Sequence, residues 1–404
     1  MNFSTFVAAA AAQPPAVVFQ VGYACGLDIV RDLGRHGVPV AALDADPAAI
    51  GLRSRYAAGL ICPDPLADEE AFLTFLETFG ARMPQRAVVF PSHDEYIWPL
   101  SRNAERLEPW YVVPFARWEA MRRVHDKRAQ MEAAWHAGVD TPKTVFVSSG
   151  VELQAAAGEV PFPAVLKPVE SLAFKLRFHR HILDVESPAE LHRIYDKVDD
   201  LGVLMLQERI PGAEHELWTV GSYLDADSRP LAVFTGHKLR QYPHAGGSCL
   251  AGVSAWDATL ADAALRLLRE LRFHGVSQVE FKRDPRDGRF CLMEVNARHW
   301  KWHGLAAACG VNLSLAAYRD ALGEPFIAPR QQDGVKWIVV NKDVPLALLE
   351  IAKRQRSAGE YVRSLRGTRM DGLHAFDDPL PGVLNALTVA KQIVTRAPRA
   401  RSDV

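Results

Sequence analysis

Between residues 16 and 115, short apolar runs alternate with amphipathic segments. "AVVFQVG" reads as a buried strand, "GLDIVRDLGRHG" as a helix closed by Gly37, and "VPVAALDAD" as a second strand. "RAVVFPSHDE" is a further strand that ends in a polar loop. Strands alternating with helices predict a parallel sheet covered on both faces, so residues 15–115 are expected to form a doubly wound α/β domain. "ARWEAMRRVHDKRAQMEAAWHAGVDTPKTVFV" then reads as one long helix stopped by Gly138, with Thr141-Pro142 leading into a strand. "FPAVLKP" (162–168) and "GVLMLQERIPG" (202–212) are strands, and "ELWTVGSYLDADSRPLAVFTGHKLRQYP" is an antiparallel pair around an Asp/Ser turn. A helix over 257–273 precedes a hairpin, and "GLAAACGVNLSLAAYRDALG" follows it as helix. From residue 331 the pattern gives a strand ("GVKWIVVN"), a basic helix over 345–366 and a Pro/Asp loop. The N-terminal "MNFSTFVAAAAAQPP" lacks a basic segment, so it is expected to be a frayed tail and not a signal peptide.

The hairpin "VSQVEFKRDPRDGRFCLMEVNARHW" carries more charge than a buried sheet tolerates. Two alternating apolar runs flank the turn chemistry of Asp284-Pro285-Arg286-Asp287-Gly288. Period-2 alternation places Glu294, Asn296 and Arg298 on one face and Cys291, Met293 and Val295 on the other. The turn places Glu280 roughly opposite Glu294. Three readings fit: a solvated face with an ion pair, a carboxylate pair for acid–base work, or a site for a hard divalent cation, which favours carboxylates and an amide oxygen.

Composition narrows the partners. With 404 residues, 49% hydrophobic and a formal net charge of −1, the chain is long enough for several cores and gives no electrostatic case for nucleic acid. From Arg330 onward 13 Lys/Arg face 8 Asp/Glu, a mild excess that suits a solvated helical face or a peripheral contact with anionic lipid. No apolar run is long enough for a transmembrane helix. Cys25, Cys62, Cys249, Cys291 and Cys309 are scattered without a C-x-x-C pair, which points to a reducing, cytoplasmic compartment. In the first turn, Gly22-Tyr-Ala-Cys-Gly26 with Asp44 further on is open to a dinucleotide, a structural βαβ turn or a substrate-facing turn. Ser92-His93-Asp94 are sequence neighbours and do not form a nucleophilic relay, but can line a crevice. His179 and His181 share a face without an obvious third metal ligand, and Trp300 and Trp302 read as core or pocket wall.

The polar residues on strands and near helix starts gather into one set: Lys127, Lys167, Gln207, Glu208, Glu216, Lys238, Arg240, Glu280, Glu294, Asn296 and Arg298. Lysines among apolar neighbours are costly unless neutralised. Several of them beside a carboxylate–amide group describe a pocket for a polyphosphate and its Mg²⁺. Here the sequence resembles the ATP-grasp superfamily over roughly residues 15–325. "EVNAR" is similar to the family's E-x-N-x-R, "HDK" before "GVDTPKT" and "FPAVLKP" to its two lysine segments, and "LQERIPG" to its adenine hinge. "VEFKRD" and "HKLRQYP" most resemble its carboxylate–amine ligase-like subgroup.

The resemblance implies a pre-ATP-grasp domain (15–115), a small lid subdomain (116–206), a large subdomain with the metal site (207–330) and an extension of open role (331–404). It implies ATP with Mg²⁺, or Mn²⁺, as cofactors. Lys127 and Lys167 would hold the α/β-phosphates, Gln207, Glu208 and the Ile210 backbone would face adenine, and Glu216 would take the ribose, with Glu214 as its rival. Lys238, Arg240 and Arg298 are the implied catalytic cations. Glu280, Glu294 and Asn296 are the implied metal ligands. The implied activity joins a small-molecule carboxylate to an amine, or to a thiol, through an acyl phosphate, and the chain is open to forming a homodimer. One departure stands out: "VESLAFKLRFHRHI" has no glycine where the family often has a glycine-rich lid, so Lys175 and Arg177 would supply its charge. Gly246-Gly247 mark a second loop near the substrates. A dinucleotide-dependent oxidoreductase and a non-catalytic ATP-binding module are the rival readings.

Overall fold

The apolar runs of the first domain form strands β1 (Ala16–Phe19), β2 (Val40–Asp44), β3 (Ala57–Ile61), β4 (Ala87–Pro91) and β5 (Tyr111–Val112). A computed structural model describes residues 1–169, 177–178, 182–195, 197–244 and 246–395. The five strands are parallel in the order β3-β2-β1-β4-β5. β1, β2 and β4 are buried along their whole length, which is why their sequences show continuous apolar character and no alternation. Connectivity reverses between β1 and β4, so the loops after them, Gly22-Tyr23 and Ser92-His93, open a crevice at the switch point.

The N-terminal tail is not frayed. Phe3–Ala12 is a helix whose Asn2 cap accepts from the Thr5 N–H at 2.8 Å, and Phe6 and Ala10 are buried on the first domain. The expected long helix is two, Trp118–His125 and Lys127–His136, because the Asp126 carboxylate caps the second by accepting from the Arg128 and Ala129 N–H groups.

Strands β6 (Thr144–Val147), β7 (Ala164–Pro168), β8 (Leu183–Val185) and β9 (Leu204–Glu208) make an antiparallel sheet in the order β6-β9-β7-β8. β9 therefore carries the small lobe to Glu208, past the expected boundary at 206. The large lobe is a seven-stranded sheet, β14-β13-β10-β11-β12-β15-β16. Its strands are β10 (Leu217–Leu224), β11 (Pro230–Tyr242), β12 (Ser248–Ser254), β13 (Gly275–Arg283), β14 (Phe290–Asn296), β15 (Lys336–Ile338) and β16 (Thr368–Asp371). One face buries Val220, Val279 and Phe281 with residues of the helices Lys127–His136 and Ala258–Glu270. The other buries Tyr223, Phe234 and Val276 with Trp300, Trp302 and the first domain's helix Ala24–Arg35. That second face becomes polar further along, at Lys238, Gln278 and Glu280.

Residues beyond 330 supply β15 and β16, so the extension completes the large sheet. Its basic region is two helices, Val340–Ala352 and Ala358–Ser364, and a third helix, Pro379–Thr395, follows where only a loop was expected. Buried ion pairs tie it down: Arg31 to Asp378 at 3.1 Å on the first domain, and Arg240 to Asp343 at 2.5 Å on β11. Among the described residues no helix is long and apolar enough to cross a membrane.

Candidate active site

Glu280 on β13 pairs directly with Glu294 on β14, and Gln278 with Asn296, so the hairpin presents both acids and the amide to one cleft of about 1820 Å³. Two carboxylates facing each other across strands repel unless a cation lies between them. Gln278 donates to Glu280 Oε1 at 2.8 Å and accepts from the Asn296 amide at 3.2 Å, which fixes the orientation of both groups. The Lys238 ammonium lies 3.5 Å from Glu280 Oε2. Alternation fails at one point. A bulge leaves Met293 unpaired between Leu292 and Glu294, so Met293 joins Glu294 in the cleft wall, and Cys291 pairs with Lys282 on the acids' side of the sheet.

Lys127 opens its helix and donates to the Pro168 carbonyl at 3.0 Å, while Lys167 projects from β7 into the same cleft. Burial lowers the Lys127 ammonium, partly offset by Glu294. Burial also brings Lys167 down to about 8, with Glu294 opposing and Lys127 reinforcing the shift. Both lysines thus sense the Glu294 charge across the cleft.

On β9, Gln207 donates to the Thr144 hydroxyl at 2.9 Å, and its buried Oε1 has no hydrogen-bond partner. Glu208 pairs with Arg286 at 2.6 Å and accepts from the Lys143 N–H at 3.3 Å. The Ile210 carbonyl accepts from Lys282 at 2.8 Å. Glu216 is not in the cleft wall. Its carboxylate is held by Arg283 at 2.7 Å, and that contact, before any other, keeps its pKa below the usual range. Glu214 lines the cleft instead, with His244 at 2.6 Å.

Arg298 lines the cleft beyond the hairpin, where Asp94 of the first domain holds its Nε at 3.0 Å and its own Nη2 reaches Asn296 Oδ1 at 3.4 Å. Arg240 does not belong to the site. A bulge at Leu239 shifts the register after Lys238, and the Arg240 guanidinium is buried in a bidentate contact with Asp343, with the Ser364 hydroxyl at 2.8 Å. It anchors the extension and takes no part in the cleft wall. Ser92 and His93 line the crevice as a hydrogen-bonded pair at 2.9 Å. Burial, with Arg298 adding to it, lowers His93 to about 4, so the ring is neutral at pH 7. Asp44 accepts from the Gly22 N–H at 2.9 Å, and a side chain at Gly26 would strike the Gln20 carbonyl, so these residues build the first turn, which also lines the cleft through Gly22 and Tyr23. Trp300 and Trp302 are buried and edge the cleft, as expected. Arg177 pairs with Asp200 at 2.7 Å, whereas Lys175, His179 and His181 lie outside the described residues.

The family model for the carbamoyl-phosphate synthase L chain, ATP binding domain, matches residues 254–328, which hold the acid hairpin. D-aspartate ligase of Enterococcus faecium is 22% identical over 290 residues, 68% of this chain and 69% of that protein. The ADP complex of an N5-carboxyaminoimidazole ribonucleotide synthetase superposes with a TM-score of 0.61 at 15% identity, over 79% of this chain and 80% of the other. L-amino acid ligase from Bacillus licheniformis gives a TM-score of 0.58 at 16% identity, over 77% and 74% of the two chains. The chain has an ATP-grasp fold.

The residues present fit the groups that an ATP-grasp site takes. The partnerless Gln207 oxygen needs a donor, which an adenine amino group supplies. The all-oxygen set of Glu280, Glu294 and Asn296 suits Mg²⁺ or Mn²⁺ better than a thiophilic metal. Sequence reasoning missed Gln278, Lys282, Lys301 and Lys342, which also line this cleft. Gln278 was legible in principle, two positions before Glu280 on the same face. Lys342 was not, because it comes from the extension and only tertiary packing brings it in.

Proposed function

We propose that the chain is an ATP-dependent ligase that activates a carboxylate as an acyl phosphate and joins it to an amine, releasing ADP and orthophosphate. The observation carrying this reading is the meeting of Glu280, Glu294 and Asn296 with Lys238, Lys127 and Lys167 in one cleft, with Arg298 beside them. The names of the D-aspartate and L-amino acid ligases that the chain resembles support it.

Lys127 and Lys167 hold the α/β-phosphates, Gln207, Glu208 and the Ile210 backbone hold adenine, and Glu214 accepts from the ribose hydroxyls. Glu280, Glu294 and Asn296 would hold Mg²⁺, which when bound offsets phosphate charge at the transferring group. Lys238 reaches the γ-phosphate from β11. Arg298, fixed by Asp94, pairs with the substrate carboxylate, so two anions meet without the full cost of their repulsion. A carboxylate oxygen attacks the γ-phosphorus, the P–O bond to the β-phosphate breaks, and ADP leaves. The amine nitrogen then attacks the acyl carbon, the C–O bond to phosphate breaks, and the nitrogen gives up its proton as orthophosphate departs. Five buried thiols, all free, support a cytoplasmic location.

A panel of carboxylates with hydroxylamine as trap tests the reaction class. A hydroxamate is expected together with equimolar ADP. AMP and pyrophosphate in its place would overturn the mechanism, which assigns Lys238 and the metal-holding acids to the transferring γ-phosphate.

A further inference from the structure

Past the phosphate lysines the cleft reaches the C-terminal extension, where Lys301 and Lys342 share its wall with Asn385 and Thr388. Lys301 lies between two buried anchors. Trp300 and Trp302 pack over Gly221 and Gly252, where any side-chain carbon would overlap the rings. Those small residues let the tryptophans seat against the sheet and fix the backbone from which Lys301 enters the cleft. Lys342 sits in the first turn of the helix Val340–Ala352, whose dipole adds positive character at that end. Its neighbour Asp343 is locked to Arg240, so the turn is held in place.

Neither lysine has a carboxylate at ion-pair distance among the described residues. Lys301 is half-buried. Burial first, then the Lys342 charge, with Lys238 adding and Cys249 opposing, brings it down to about 8. A half-buried ammonium beside a second, exposed one without a counter-ion is costly, and an anion from outside relieves the cost. The other ligands have their partners already: Lys127, Lys167 and Lys238 for the nucleotide phosphates, Arg298 for the reacting carboxylate.

We propose that Lys301 and Lys342 form an anion subsite for a second negatively charged group on the acid being activated, so that the acid is a dicarboxylate or a phosphorylated carboxylate. This rests on the ligase reading, which assigns Arg298 to the reacting carboxylate.

Lysine acetylation footprinting, read by peptide mass spectrometry on the full chain, tests it without turnover. Mg·AMP-PNP is kept saturating to fill the nucleotide phosphate positions, and succinate, phosphoglycolate and butyrate are compared. Succinate or phosphoglycolate should protect Lys301 and Lys342 about fivefold or more, and butyrate should not. Whichever protects more identifies the anionic group as carboxylate or phosphate. Equal protection by butyrate, or none by any of them, overturns the subsite. In the phosphate-release assay, Lys342→Gln, an exposed position, should raise KM for the acid about tenfold and leave KM for ATP unchanged; Lys301→Met should do the same. If no acid yields ADP, the ligase reading fails while the footprint still reads the subsite. If a simple monoacid turns over as well as any diacid or phosphorylated acid and Lys342→Gln leaves the KM of the doubly anionic acids unmoved, the subsite fails and the ligase reading stands.

Discussion

Lys167 combines two demands that respond to pH in opposite directions. Burial lowers its ammonium to about 8, with Glu294 opposing and Lys127 assisting, against an unfolded value near 10.5. Between those values the unfolded chain binds more protons than the folded one, so this residue's contribution to stability rises with pH through that window. Binding runs the other way. Phosphate oxygens favour the charged amine, so nucleotide affinity is full below about pH 7 and declines as pH climbs through about 8, by at most about tenfold per pH unit. Calorimetric titration of Mg·ADP from about pH 6.5 to 9.5 should show this decline in the native chain and a flat profile in Lys167→Arg, whose guanidinium stays charged. A decline of equal size in Lys167→Arg would assign the effect to another group.

At the level of strands and helices, what was legible depended on local rules alone. The Asp284–Gly288 turn sets the hairpin's register from Arg283–Phe290 to Phe281–Leu292, which brings Glu280 to within one residue of Glu294 without tertiary information. The bulges at Leu239 and Met293 were hidden. One extra residue leaves composition and polarity unchanged while it turns the alternation over, which is why Arg240 reads as a partner of Lys238 and leaves the site in the fold. The N-terminal helix carried a readable signal in its Asn2 cap and its alanines, the residues that most favour helix, but an alanine run shows no amphipathic period. Asp126 is the reverse case: the apolar period runs through it, and its capping role appears only in the geometry. Because that cap fixes the first residue of a helix, Lys127, it ties stability to nucleotide binding. Asp126→Ala should cost about 1 kcal/mol, lower Tm by a few degrees and weaken ADP binding severalfold. Asp126→Asn, which keeps an accepting oxygen, should retain most of both. Thermal melts and calorimetry that find the two variants alike would show the cap to be incidental.

Over the whole molecule, the extension's charge pattern makes sense only once it is docked. Its acids Asp343, Asp377 and Asp378 pair with Arg240, Arg35 and Arg31, while its Lys342 and Arg356 line the cleft. The docking contacts reach both the first domain and the large sheet, so one segment fixes the crevice of the former against the acid hairpin of the latter. Arg240 and Asp343 are an enclosed part of this clamp, with side chains 6% and 0% exposed and the Tyr361 hydroxyl completing the carboxylate at 3.0 Å. A buried pair of this kind contributes little beyond what well-packed apolar groups would, yet removing one partner strands the other charge. Arg240→Met and Asp343→Leu should therefore each lower unfolding free energy by about 3–5 kcal/mol, while the double variant regains most of the loss. Urea denaturation of all four proteins measures the coupling. The activity of the same set separates anchor from catalyst: since Arg240 lies outside the cleft wall, the refolded double variant should keep its ATP turnover. A double variant that is stable but inactive would return Arg240 to the reaction, and one as unstable as the single variants would mean that the Tyr361 and Ser364 hydroxyls, left without partners, outweigh the charges they now serve.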